Sequence, residues 1–183
     1  MRTLDIPVKS LALLLVASFF LFGCTAVAST AGQDNSKLPV ETLWAGSQSS
    51  HTTAQSLALY VSDPVRLNAL IRANPNRAAM PILERRRVDW RREAVVWLFM
   101  GRRNSGGYAL SLASPVAIVS HGVAVIKVQW REPRPGAMVT QQLTSPCLVL
   151  ILSRGNYEKI EIQDETGGVR TRLVLSDAAS HLK

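Results

Sequence analysis

The chain is poor in the residues that build reactive centres. It has two cysteines and three histidines in 183 residues. His51, His121 and His181 are far apart with no ligand spacing, and no His or Cys pair forms a zinc pattern. The 13 acidic residues, outnumbered by 21 basic ones, fall mostly at turns or on polar strand faces, so a paired-carboxylate site is not indicated. No glycine-rich loop opens a helix, which removes the usual phosphate cradle. No internal repeat is visible. The apolar run at residues 11–22 is shorter than the roughly 20 residues a helix needs to cross a bilayer. Neither a cofactor nor a metal is expected, and no enzyme activity.

What is present begins with an export signal. Arg2 and Lys9 charge the head, the apolar run follows, and it ends at Leu21-Phe22-Gly23-Cys24. That string resembles the lipobox of bacterial lipoproteins, with an aliphatic residue three before the cysteine and a small one just before it. The resemblance implies a signal peptide over residues 1–23 and lipidation at Cys24, with a diacylglycerol on the thiol and a third chain, such as palmitate, on the amine. Each buried CH₂ contributes about 0.8 kcal/mol and one chain holds only marginally, so three chains would anchor the protein stably. Plain secretion with cleavage near Ala28, or an uncleaved anchor, are the alternatives. Thr25 in place of Asp after Cys24 favours the outer membrane, facing the periplasm. Residues 24–40 are small and polar at first and read as a tether, leaving residues 41–183 as one domain with room for a core. With Cys24 lipidated, Cys147 has no disulfide partner. Its apolar surroundings at 147–152 predict a buried, inert thiol.

The formal net charge is +8, and the basic residues cluster: Arg85, Arg86, Arg87, Arg91 and Arg92 fall close together, and Arg102-Arg103 follow. Export argues against nucleic acid as the partner. Anionic lipid head groups or an acidic protein fit better, and solvated turns flanking a buried strand would also account for the pattern.

The pattern of the domain is mainly β with one helix (α+β). Residues 41–46 and 55–61 read as strands. Asp63 caps a helix with Pro64 at its first position; Leu67, Leu70 and Ile71 share a face, and Asn74-Pro75 ends it. Residues 76–92 are polar apart from an apolar patch at 80–83. Residues 94–100 and 147–152 are continuously apolar, as in strands buried on both faces. Residues 108–112 alternate, and 116–119 form a short apolar strand. After a His121-Gly122 turn, Ala124, Ile126, Val128 and Trp130 alternate with polar residues, the period of a half-buried strand. Arg154-Gly155-Asn156 signals a hairpin, Ile160 and Ile162 alternate beyond it, and Thr166-Gly167-Gly168 turns into a last edge strand at 173–175. Frequent strands and short glycine turns predict antiparallel pairing, in a twisted sheet, small sandwich or partly open barrel.

Two loops carry the remaining motifs. A strand ends in Met100-Gly101, and a polar turn leads to Ser105-Gly106-Gly107-Tyr108. Further on stand Pro133-Arg134-Pro135-Gly136, a spacer, Val139-Thr140-Gln141, and Pro146 before the next core strand. From Val88 to Ser153 this order resembles the C-terminal domain of the PrcB family, accessory subunits of protease complexes, with a motif-bearing core over 88–163. Ser105 stands where Thr is commoner, Cys147 where an aromatic is frequent, and Leu67 and Leu70 where Trp is frequent. The resemblance implies a non-enzymatic domain that binds an exported protein, a protease or its complex. Its candidate partner-binding residues are Ser105, Gly106, Gly107, Tyr108, Pro135, Gly136, Thr140 and Gln141. The plainer alternative is that both loops only lock the sheet. A further alternative is an envelope module for cell-wall glycan or anionic lipid, using the arginines with Trp44, Trp90 or Trp97. Finally, Asn104-Ser105-Gly106-Gly107 is similar to the nucleophile loop of trypsin-like proteases, with His51, Asp89 and Ser105 in matching order. Too few residues separate His51 from Ser105 for the two barrels of that fold.

Overall fold

The computed structural model describes residues 35–74 and 86–175. The lipobox with Cys24, His181 and the apolar patch at 80–83 lie outside the described residues. The elements are β1 (Ser36–Gly46), β2 (Leu57–Val61), α1 (Pro64–Ala73), β3 (Glu93–Phe99), β4 (Ala109–Leu112), β5 (Val116–Ser120), β6 (Val123–Arg131), β7 (Cys147–Ser153), β8 (Lys159–Gln163) and β9 (Val169–Val174). The strands form one mixed sheet in the order β2-β3-β7-β1-β5-β6-β8-β9, with β4 also paired to β6. Its two edges meet where the Ser56 hydroxyl donates to the Arg170 carbonyl at 2.9 Å, which gives a twisted, nearly closed barrel.

Side-chain pattern explains the layers. Ala124, Ile126, Val128 and Trp130 of β6 point inward with Ile160 and Ile162 of β8, as their alternation requires. In β3 and β7 every position but the outermost is buried. Val96, Leu98, Leu148, Leu150 and Leu152 fill the barrel, while Val95, Trp97, Phe99, Cys147, Val149 and Ile151 form a second core on the outer face. The α1 helix covers that outer core through Leu67, with Leu70 and Ile71 beside it. Its start is as the sequence implies: the Asp63 carboxylate accepts from the Arg66 N–H at 2.9 Å, and Pro64 is the first helical residue. The β5–β6 turn has positive φ at His121 (51°) and Gly122 (73°), the type I′ geometry that suits strand twist.

Three expectations are corrected. First, β1 starts at Ser36, inside the stretch read as tether. Pro39 obscures the strand because it lacks an N–H, yet it sits where β1 passes from its β5 ladder to its β7 ladder. Second, β6 and β8 pair in parallel, the one parallel pair among the described strands. Third, Arg154-Gly155-Asn156 does not join a hairpin. Both edges of β7 are already occupied, by β3 and β1, so the chain crosses to the free edge of β6. Gly155 packs closely there: a Cβ would lie 2.8 Å from the Leu38 Cδ1, so the leucine would have to turn aside.

The barrel has two distinct ends. Strand β1 enters beside the β5–β6 turn, with Ser36 opposite Val119, and leaves beside the start of β7, with Gly46 opposite Cys147. Eleven extended residues separate these ends by about 35 Å. The segments 47–56, 101–108 and 132–146 gather at the exit end, which we call the loop end; the other is the entry end.

Candidate partner-binding loops

The loop end is assembled backbone first. Leaving β3, the Met100 N–H donates to the Pro146 carbonyl at 2.8 Å. Gly101 then takes φ +90°, and a Cβ on it would lie 2.5 Å from the Ala54 carbonyl oxygen, so glycine is required twice over. Arg103 and Thr144 form a two-way backbone bridge at 2.7 and 2.9 Å. The Arg103 guanidinium donates to the Met100 carbonyl at 2.9 Å and lies 5.6 Å from the centroid of the Tyr108 ring.

Residues of the two motifs meet directly. The Gly106 N–H donates to the Thr140 carbonyl at 2.8 Å. A Cβ on Gly106 would stand 2.3 Å from the Thr140 Oγ1, and one on Gly107 would stand 3.0 Å from Val139 and 3.1 Å from Pro133. The Thr144 hydroxyl donates to the Ser105 carbonyl at 2.8 Å. Pro135 and Gly136 are the central residues of a turn closed by the Ala137 N–H on the Arg134 carbonyl at 3.0 Å, and φ +77° at Gly136 makes it type II. Behind this unit, Ser145 links to the 47–56 segment: its N–H donates to Ser47, and its hydroxyl to the His51 carbonyl at 2.7 Å.

Seven of the eight candidate residues therefore belong to one interlocked unit or its turn, and the eighth, Gln141, is exposed beside them. Gly106 is buried and Tyr108 and Ser105 are half-buried, while Gly107, Pro135, Gly136 and Thr140 reach the surface. The residue that sequence reasoning missed is Met138. It is fully exposed, at 102 % of the reference area, at the tip of the second loop, and Leu143 lower on the same loop is 57 % exposed. The available signal was an unbranched apolar residue in the middle of a polar, Pro/Gly-shaped loop. Arg102, Arg131 and Arg134 are exposed on this end, and the Glu132 carboxylate accepts from the Trp130 indole at 2.9 Å.

The other candidates have structural roles. Trp97 is 1 % exposed, and Trp44 and Trp90 pack against the outer core. Cys147 is buried, its thiol 3.8 Å from the Gln48 carbonyl, and loss of solvation pushes that thiol up to about 12. His51, Asp89 and Ser105 are not brought together. Asp89 caps the turn before β3 at the entry end, while the His51 ring bonds Thr53 and the Gln55 carbonyl at the loop end. Among the described residues no group of three His, Cys, Asp or Glu could hold a metal ion. A shallow depression of about 520 Å³ lies between Trp130, Glu132, Glu165 and Arg170. Asp164, beside it, accepts from the Thr166 hydroxyl, the Gly168 and Thr166 N–H groups and Arg170, which holds its carboxyl down to about 2.

Comparison with curated proteins and with solved structures gave no match. Residues 94–153, which run from β3 through β7 and include both motif loops, match the family model of the PrcB C-terminal domain, the family that the loop motifs resemble.

Proposed function

We propose that this protein is a lipoprotein anchored through Cys24 in a bacterial envelope, where its barrel docks an exported protein and performs no reaction itself. The family match suggests association with a protease complex, so the partner we assign is a component of such a complex, facing the periplasm from the outer membrane. The observation that carries this reading is the loop end. Two motif loops, distant in sequence, fix each other by hydrogen bonds and glycine contacts, and the tip they hold out is a fully exposed methionine. A flexible thioether suits an apolar socket in another protein, and a rim of Arg102, Arg131 and Arg134 favours an acidic surround.

The test is co-purification from native envelopes. Met138→Asp should leave the thermal transition unchanged, since the side chain touches little of its own chain, and should abolish recovery of the protease-complex component. The pair Thr140→Ala and Gln141→Ala should weaken recovery without unfolding. Undiminished recovery with all three residues changed would refute the reading.

A further inference from the structure

The arginine cluster that the proposed docking does not use lies at the entry end. Arg87, Arg91 and Arg92 are exposed in the turn before β3. The Arg154 N–H donates to the Arg92 carbonyl at 2.7 Å, which brings the exposed Arg154 beside them. Gly155 packs on Leu38 of β1, so exposed Lys37 flanks the same surface. Acidic groups here are largely occupied. Glu41 and Glu93 both pair with Arg86, at 3.2 and 2.8 Å. Asp89 and Glu158 are the exposed acids nearby, and the Asp89 carboxylate already accepts from the Arg91 N–H. With Arg86 shared between two carboxylates, the end sets six basic side chains against four acidic ones, a net positive charge around the strand by which the chain enters.

We propose that this basic end lies against the anionic head groups of the membrane that holds the protein. The inference rests on the anchored reading above and adds an orientation to it. A tether leading from a lipid surface delivers the entry end first, and cationic side chains within a Debye length of anionic lipid are drawn to it. The loop end, about 35 Å away along β1, then points away from the membrane toward soluble partners.

The test uses the full-length protein purified from bacterial envelopes and vesicles of phosphatidylcholine, with or without phosphatidylglycerol. A fluorophore at Arg91→Cys should be quenched by head-group-labelled lipid only on the anionic vesicles, and the quenching should vanish in high salt. The same fluorophore at Met138→Cys should stay unquenched on both. Equal quenching at position 91 on neutral and anionic vesicles, or stronger quenching at 138 than at 91, overturns the proposal. Flotation with neutral vesicles in high salt reads the lipid anchor separately. If that flotation fails, the anchored reading falls, and the basic end is judged by flotation with anionic vesicles in low salt. There, changing Arg87, Arg91 and Arg92 to Gln should weaken binding on the order of a hundredfold, and unchanged binding overturns the inference.

Discussion

Single residues hold the loop end together, and two can be tested in isolation. A Cβ on Gly106 would meet the Thr140 Oγ1 at 2.3 Å, while the Thr140 Cβ and N lie beyond 3.5 Å. The conflict is thus with one hydroxyl on a side chain that turns stiffly about χ1. Gly106→Ala should cost about 1–3 kcal/mol by denaturant unfolding, and adding Thr140→Ala should recover most of it. No recovery would mean that the backbone itself is strained there. Asp164 gives a pH-dependent case. Its carboxyl falls from an ordinary value of 3.8 to about 2 in the folded protein, so the folded state binds fewer protons than the unfolded one. Its contribution is present above about pH 4 and is lost as pH falls toward 2. Asp164→Asn should lower Tm at neutral pH, and the gap to the parent should close across that window.

At the scale of elements, β3 and β7 set the stability of the barrel, because each is buried on both faces. Leu150 has no exposed area and sits among the inward-facing residues. Leu150→Ala should therefore cost about 2–5 kcal/mol, measured by urea unfolding, whereas truncation of exposed Val65 on α1 should change little. This is also the scale at which the sequence was most readable. Alternation identified β6, continuous apolar runs identified β3 and β7, and Asp63-Pro64 located the start of α1. These signals are local, since each records which side of one segment meets water. Pairing is not local. The parallel β6–β8 ladder follows from β7 having both edges taken, a fact about three strands that a glycine turn at Arg154-Gly155-Asn156 does not encode. Pro39 hid the first five of the eleven residues of β1 for a similar reason: its missing N–H matters only where a neighbour requires it. The motif glycines were legible as a pair of loops, but their mutual fit through Thr140, Val139 and Pro133 was not. Met138 carried no periodicity at all.

On the largest scale, the described domain is a barrel with two chemically different ends. The entry end is basic and adjoins the start of β1; the loop end is interlocked by hydrogen bonds and presents an exposed Met138. The most direct measurement is photo-crosslinking in intact envelopes, with a photoreactive amino acid at position 138 in one strain and at position 91 in another. Docking through the loop end predicts that position 138 crosslinks to an exported component of a protease complex and that position 91 does not. The same component captured from position 91, or none from position 138 while the domain remains folded, would contradict it.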